Sequence, residues 1–475
     1  MPGKILLINT NRMRPRVAPI GLDYVAGALR GAGAEVGFFD LAFASRGWTF
    51  ALKKLLDEFK PDLVGVTVRN IDDCYFLSGS FLLRPVKRLV SWLKQNSNAK
   101  IVLGGVGYSI APLAALDYLG ADYGVWGDGE DVIVKLLNSV SSGKSPDAED
   151  IPGLVTKDAK AFQRSELDPD RFRLNRKLAD NSKYFRMGGQ IGIETKRGCT
   201  GKCIYCADPL AKGRKVRMRS AESVADEIEE LLSYGAWAFH FCDSEFNRGR
   251  LHAERVLKEI VKRGLGEKIS LYGYFSPKPF DLDLAKLFVA AGGKGICFGA
   301  DSGSDELLSI LKRDHSAKDL EIAVSACKKA GIKLMYDLLI GGPNETKKTL
   351  AQTIKLMQKL KPDRVGVSYG LRVYAGTELA RMIGVEQCAC AAGSLQDNPE
   401  LIFPVFYLSP ALQKHGLDYL HGLVGSDKRF FLPAQVSKKQ NYNYSGNFFL
   451  EQLIKKGARG AYWKILFDSA TKNKQ

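Results

Sequence analysis

Nowhere in this 475-residue sequence do apolar residues run together for the ~18 to 20 positions that a bilayer-crossing helix needs, so no membrane span is expected. The opening, MPGKILLINTNRMRPR, lacks the apolar stretch and cleavage site of a secretory signal, which points to a cytoplasmic location. Histidine is scarce: there are five, none before His240, so nothing built in the first half of the chain can use imidazole as a ligand. Neither an internal repeat nor a low-complexity tract is present. A disulfide framework is also disfavoured, because nine cysteines is an odd number in a long chain without a secretion signal, and metal binding or simple burial becomes the expectation.

Hydrophobic residues make up 45% and charged residues 25%, a globular rather than a disordered balance, and the length suggests two or three domains. The formal charge of +17 favours polyanions, acidic proteins or anionic surfaces, which concerns association and not fold.

Two alternations of strand and helix follow one another. The first has strands at 4–9, 35–40, 62–68, 100–105 and 123–129, with helical spacing between them; Leu22, Val25, Ala26 and Leu29 share one face. This predicts a doubly wound parallel sheet over residues 1–145, with its ligand crevice at the strand C-termini. A polar linker is assigned to 146–186. The second alternation, 187–385, has strands at 192–196, 237–243, 270–275, 295–301, 334–340 and 364–369, and predicts a partial (β/α)6 barrel, again active at its strand ends. Residues 386–475 are less periodic and are read as a mostly helical cap. The fold class is α/β throughout the first two units.

Directly after the strand GIETK stands Cys199-Thr200-Gly201-Lys202-Cys203-Ile204-Tyr205-Cys206, a C-x3-C-x2-C loop. A [4Fe-4S] cluster usually takes four cysteines, so three at this spacing leave one iron open to a ligand that is not protein. Zinc is the competing reading, but it wants a fourth ligand nearby and no histidine precedes His240.

With these cysteines the sequence resembles the radical S-adenosylmethionine (SAM) superfamily. FHFCDSEFN, GADSGSDELLSILKR, LLIGGPNET and VSYGLRVYAGTELA at later strand ends extend the likeness. The resemblance implies that Cys199, Cys203 and Cys206 hold the cluster, that Tyr205 lies near the adenine of SAM, and that Asp243, Asp301 and Ser302 hold its amino group, ribose and carboxylate. Asp301 departs from the glutamate of many relatives, and capping of the next helix is the competing role for Asp243 and Asp301.

The preceding doubly wound domain narrows the resemblance to the cobalamin-dependent, class B methyltransferase-like branch. VGVTVRN, LGGVGYS and WGDGE end its third, fourth and fifth strands. Cobalamin contacts are then implied for Thr67, Arg69, Asn70, Gly104, Gly105, Gly107, Tyr108, Ser109, Gly127, Gly129 and Glu130. The glycines would let backbone approach the nucleotide tail, and Tyr108 or Ser109 would donate hydrogen bonds to it. GGVGYS lacks the full dinucleotide fingerprint G-x-G-x-x-G. With no histidine to ligate cobalt from below, a base-off, histidine-off cofactor is implied, and Arg69 could lie under the corrin, a surface arginine being the competing reading.

The basic run Lys212, Arg214, Lys215, Arg217 and Arg219 is either a solvated loop or a landing place for an acidic electron donor such as flavodoxin or ferredoxin. Nucleic acid is not the expected partner, since no second cysteine triad or RNA-binding appendage follows, and Cys388 and Cys390 are too few for another cluster. Tyr442, Tyr444, Tyr462 and Trp463 fall in a segment that could close the barrel mouth. The activity implied is transfer of a methyl group from SAM, via methylcobalamin, to an unactivated carbon of a small molecule, lipid or peptide. The alternatives are radical rearrangement or cyclisation, polar methyl transfer, and a cobalamin or iron-sulfur sensor or electron carrier.

Overall fold

The sequence KILLIN forms β1 (Lys4–Asn9), whose apolar side chains are buried almost completely because helices cover both faces of its sheet, Leu6 and Ile8 packing on one and Ile5 and Leu7 on the other. In the computed structural model, which describes residues 3–158, 162–172, 176–383, 388–391, 398–433 and 446–472, β1 lies between β2 (Glu35–Asp40) and β3 (Leu63–Thr67). β4 (Lys100–Gly104), β5 (Tyr123–Val125) and β6 (Leu154–Val155) complete a sheet of order β2-β1-β3-β4-β5-β6. The first five are parallel, as near-continuous apolar runs joined by helices require. β6, inside the stretch assigned as linker, pairs antiparallel with β5; two residues carry no periodicity by which to find it.

Helix Ile20–Gly31 buries Leu22, Ala26 and Leu29 against this sheet, and Val25 is half-buried at its edge. Pro85 stands in the first turn of helix Leu83–Asn96, where its missing N–H costs nothing.

The second sheet starts at β7 (Ile191–Ile193), shorter than GIETK suggested because the chain leaves it to form a two-stranded ladder of β8 (Lys196–Arg197) with β9 (Arg217–Met218). β10 (Ala238–Phe241), β11 (Ser270–Phe275), β12 (Gly293–Asp301), β13 (Lys333–Ile340) and β14 (Arg364–Tyr369) follow in order, all parallel. Phe239, Phe241, Phe275 and Phe298 point out from this curved sheet to the helices and form the largest core.

The region expected to be a helical cap is mixed. β15 (Leu371–Arg372), β16 (Cys388–Ala391) and β17 (Val405–Tyr407) make a small antiparallel sheet, and β18 (Phe430–Phe431) adds a seventh strand beside β14. These strands are too short for alternation to be read. Helices Gly416–Val424, Phe448–Lys455 and Tyr462–Lys472 supply the rest. Tyr462 and Trp463 are buried, Tyr462 donating to the Arg16 carbonyl; Tyr442 and Tyr444 lie outside the described residues. Among the described residues no helix is long and apolar enough to cross a membrane.

The two sheets are joined by buried charge. Arg176 Nε donates to Asp23 Oδ2 at 2.8 Å and Nη1 to Glu227 Oε1 at 2.5 Å, all three side chains being withdrawn from solvent. Arg197 pairs with Glu130 at 2.7 Å and Asp128 at 3.3 Å, and Arg372 with Asp72 at 2.7 Å. Burial alone would pull the Arg197 pKa down, but Glu130, Glu194 and Asp128 raise it.

Candidate functional site

The cysteine loop begins at Gly198, whose φ of 89° and approach to the Lys215 carbonyl, 2.2 Å from where a Cβ would stand, admit only glycine. Cys199 is buried and Cys203 and Cys206 are half-buried, none of the three in a disulfide. Gly201 fits between sulfurs: a Cβ there would lie 3.2 Å from Cys199 Sγ and 3.8 Å from Cys203 Sγ. Burial pushes the thiols of Cys203 and Cys206 up, so binding a metal core would release their protons. Among the described residues no three histidine, cysteine or carboxylate side chains stand close enough to hold one ion. The three thiols share one short loop, the donor set that an iron-sulfur core with one open iron would use.

Two of the four residues expected around SAM meet. A register shift between Gly299 and Asp301 leaves Asp301 at φ 58°, and its Oδ2 accepts the Tyr205 hydroxyl. Burial, then the charge of Asp301, raises the Tyr205 pKa and keeps it a donor. The other two are engaged elsewhere. Asp243 accepts from Thr195 N at 2.8 Å, Thr195 Oγ1 at 2.6 Å and Lys196 Nζ at 3.4 Å, which fixes the strand end before the cysteine loop. Ser302 is fully buried and bonded to Thr353 Oγ1 at 2.9 Å and to Ser304 N. Sequence reasoning missed Arg313 and Glu245, which sit beside Cys203 and Asp301, because isolated charges in KRDH and DSEF carry no spacing signal.

Beyond Arg197, a cavity of about 230 Å³ opens at the C-terminal ends of β3, β4 and β5. Thr67, Gly104, Gly105, Ser109, Gly127, Gly129 and Glu130 line it with Tyr24 and Val25, and the barrel contributes Arg197 and Lys212. Gly104 faces open space, the nearest atom to a Cβ there being 4.0 Å away. Gly105 and Gly107 are small for another reason: a Cβ would lie 2.6 Å from the Val68 carbonyl or 2.8 Å from Asn70 N, so they admit a neighbouring loop rather than a ligand. Tyr108 is not available as a donor to the cavity, its ring being fully buried with the hydroxyl against Gly124. Ser109 Oγ accepts from Gly127 N, and Glu130 is held low by Arg197 although burial pulls it up. Arg69 and Asn70 line an adjoining cleft, where Arg69 Nη1 donates to Asn70 Oδ1 at 3.0 Å. Arg69 is exposed to solvent at this cleft, as the surface reading has it, yet protein crowds its charge and pulls its pKa down, opposed by Tyr462, Tyr274 and Cys242, so it stands at the rim that faces the barrel.

The barrel wall opposite carries His240, its ring centroid 5.1 Å from that of Tyr274, and a Cys297 thiol that donates to Asp337 Oδ2 at 2.8 Å. Burial lowers His240 to about 4, leaving it neutral, and raises Asp337 to about 7; the buried Asp337 Oδ1 has no partner. The expected basic surface is mostly turned inward: Arg217 pairs with Asp128, Arg219 with Glu227 and Lys212 with Asp208, leaving Arg214 and Lys215 outside. Carboxylates of the domain junction outcompete water for these guanidinium groups.

The model of the Radical SAM superfamily matches residues 193–357, and that of the B12 binding domain matches residues 7–137. The tryptophan 2-C-methyltransferase of Streptomyces laurentii is 29% identical over 97% of this chain and 95% of its own. A structure of the radical SAM methyltransferase TsrM from Kitasatospora setae, with tryptophan and a SAM analog bound, superposes with a TM-score of 0.90 at 30% identity, covering 99% of this chain and 98% of that one. A second structure of that protein, with cobalamin and a [4Fe-4S] cluster, gives 0.87 at 29% identity over the whole of both chains.

Proposed function

From the premise that this chain belongs to the cobalamin-dependent radical SAM superfamily, we propose that it methylates tryptophan, or a close indole relative, at a ring carbon. It is a C-methyltransferase whose cofactors are a [4Fe-4S] cluster, SAM and cobalamin. SAM supplies the methyl group, cobalamin a carrier for it, and the cluster an electron reservoir and an open iron.

The observation that carries this reading is Arg197. Two residues before Cys199, it reaches across the junction to Glu130 on the wall of the glycine-lined cavity, which supports a reading in which one side chain would link the two cofactor sites. Cys199, Cys203 and Cys206 would hold the cluster. Tyr205 and Asp301 would orient SAM, and the cavity between Gly104 and Gly129 would take the nucleotide tail of cobalamin. Arg69 would face the corrin from the end of β3.

For the substrate, the aromatic pair His240 and Tyr274, tilted by 55° to one another, offers a neutral corner against which the face or edge of an indole ring would pack. Asp337 Oδ1, unpartnered on that side of the barrel, would accept an N–H of the amino acid.

Anaerobically reconstituted protein should hold about four irons and one cobalt. With SAM carrying a deuterated methyl group, tryptophan should gain that group and S-adenosylhomocysteine should form. Deoxyadenosine formed in proportion to product would mark a radical route, and its absence a polar one. Turnover of SAM with tryptophan unchanged, but with methylation of another indole, would redirect the substrate; no methyl transfer to any indole would overturn the proposal.

A further inference from the structure

We propose that Arg313 sets the reduction potential of the cluster by holding the sulfur of Cys203 in a charge-assisted hydrogen bond, a positioning role that rests on the cysteine loop carrying a cluster.

The guanidinium is fixed on four sides. Nη1 donates to Cys203 Sγ at 3.1 Å, and Nη2 donates to Glu245 Oε1 and to the Gly299 carbonyl, both at 2.8 Å. Nε stands 3.3 Å from Asp301 Oδ2. The side chain is only 6% exposed and, as an arginine, does not shed its proton. Cys199 accepts from the Gly201 backbone N–H at 3.4 Å and Cys206 from that of Asp208, neutral donors both, so among the described residues Cys203 alone has a cationic hydrogen-bond donor.

Reduction adds a negative charge to a cluster, and potentials of such clusters follow net charge, solvent access and hydrogen bonds to sulfur. A fixed cation at hydrogen-bond distance from one ligand, in a site shielded from water, favours the reduced form. Glu245 and Asp301 work against it from farther away. Removing the cation therefore takes away the nearest favourable charge and leaves two carboxylates uncompensated.

The test is the midpoint potential, measured by spectroscopic redox titration of reconstituted wild type, Arg313→Gln and Arg313→Lys, with iron counted in each. The glutamine protein should keep its iron and be at least about tenfold harder to reduce, about 59 mV more negative for one electron. Lysine, which keeps the charge but not the forked geometry, should fall between. Should the glutamine protein fail to load, the lysine protein decides by the same shift. Unchanged potentials in loaded variants, or loss of iron from both, would overturn the proposal, the second by making Arg313 a residue needed for assembly only. Wild type that takes up no iron would instead overturn the cluster reading itself.

Discussion

The hydroxyl of Tyr205 donates to Oδ2 of Asp301, 96 positions further along the chain, and so fastens the cysteine loop to the end of β12. Asp301 needs such an anchor, because its φ of 58° lies where a side chain with a Cβ is strained. Replacing Tyr205 by phenylalanine removes the donor and keeps the ring. A lost hydrogen bond of about 0.5–1.5 kcal/mol should weaken SAM binding by roughly 2- to 10-fold, read by equilibrium dialysis, with iron content unchanged.

Gly104 can be turned into a plug. A leucine there would grow into open space without meeting backbone, and should lower bound cobalt from about one per chain to a small fraction while leaving four irons in place. Metal analysis after reconstitution reads both at once, and full cobalt loading of Gly104→Leu would remove this cavity from the cobalamin site.

Asp337 gives the pH dependence its sign. Burial raises its pKa to about 7, so the carboxylate that can accept a substrate N–H is the minor form at pH 6 and the major form at pH 8. Apparent substrate affinity should rise roughly tenfold over that interval, following the competent fraction. Asp337→Asn should bind tryptophan with a flat profile across the same range, by calorimetry at fixed SAM.

Arg176 tests the junction. Methionine in its place would leave the buried Asp23 without its counter-charge, while Glu227 keeps Arg219, and breaking a buried pair in this way costs about 3–5 kcal/mol. Asp23 is already raised by burial, so it should partly relieve the loss by taking up a proton, and the destabilisation should be smaller at low pH. Thermal unfolding of wild type and Arg176→Met at two pH values measures both effects.

Much of this was legible in the sequence because it is written in local pattern. The apolar runs KILLIN and SLYGYF became β1 and β11 at their expected bounds, and the C-x3-C-x2-C spacing located the cysteine loop. What could not be read depends on contacts distant in sequence. Nothing near Asp243 says that its oxygens are taken by Thr195 and Lys196, nothing near Tyr108 that its hydroxyl faces Gly124, and nothing in KRDH that Arg313 reaches Cys203. The basic run misled in a related way: charge density is visible in sequence, but not that Asp128 of the first domain takes Arg217 or that Glu227 on the next helix takes Arg219.

The pairing of Arg197 with Glu130 and Asp128, and of Arg176 with Asp23, also restricts how the enzyme can breathe. To swing the two sheets apart would break these charge-assisted contacts together and give each ion back to water. The junction is therefore tied at several points at once, and these ties favour one fixed span between the cysteine loop and the glycine-lined cavity. Whatever travels during turnover must be the small molecules themselves, threading past fixed walls.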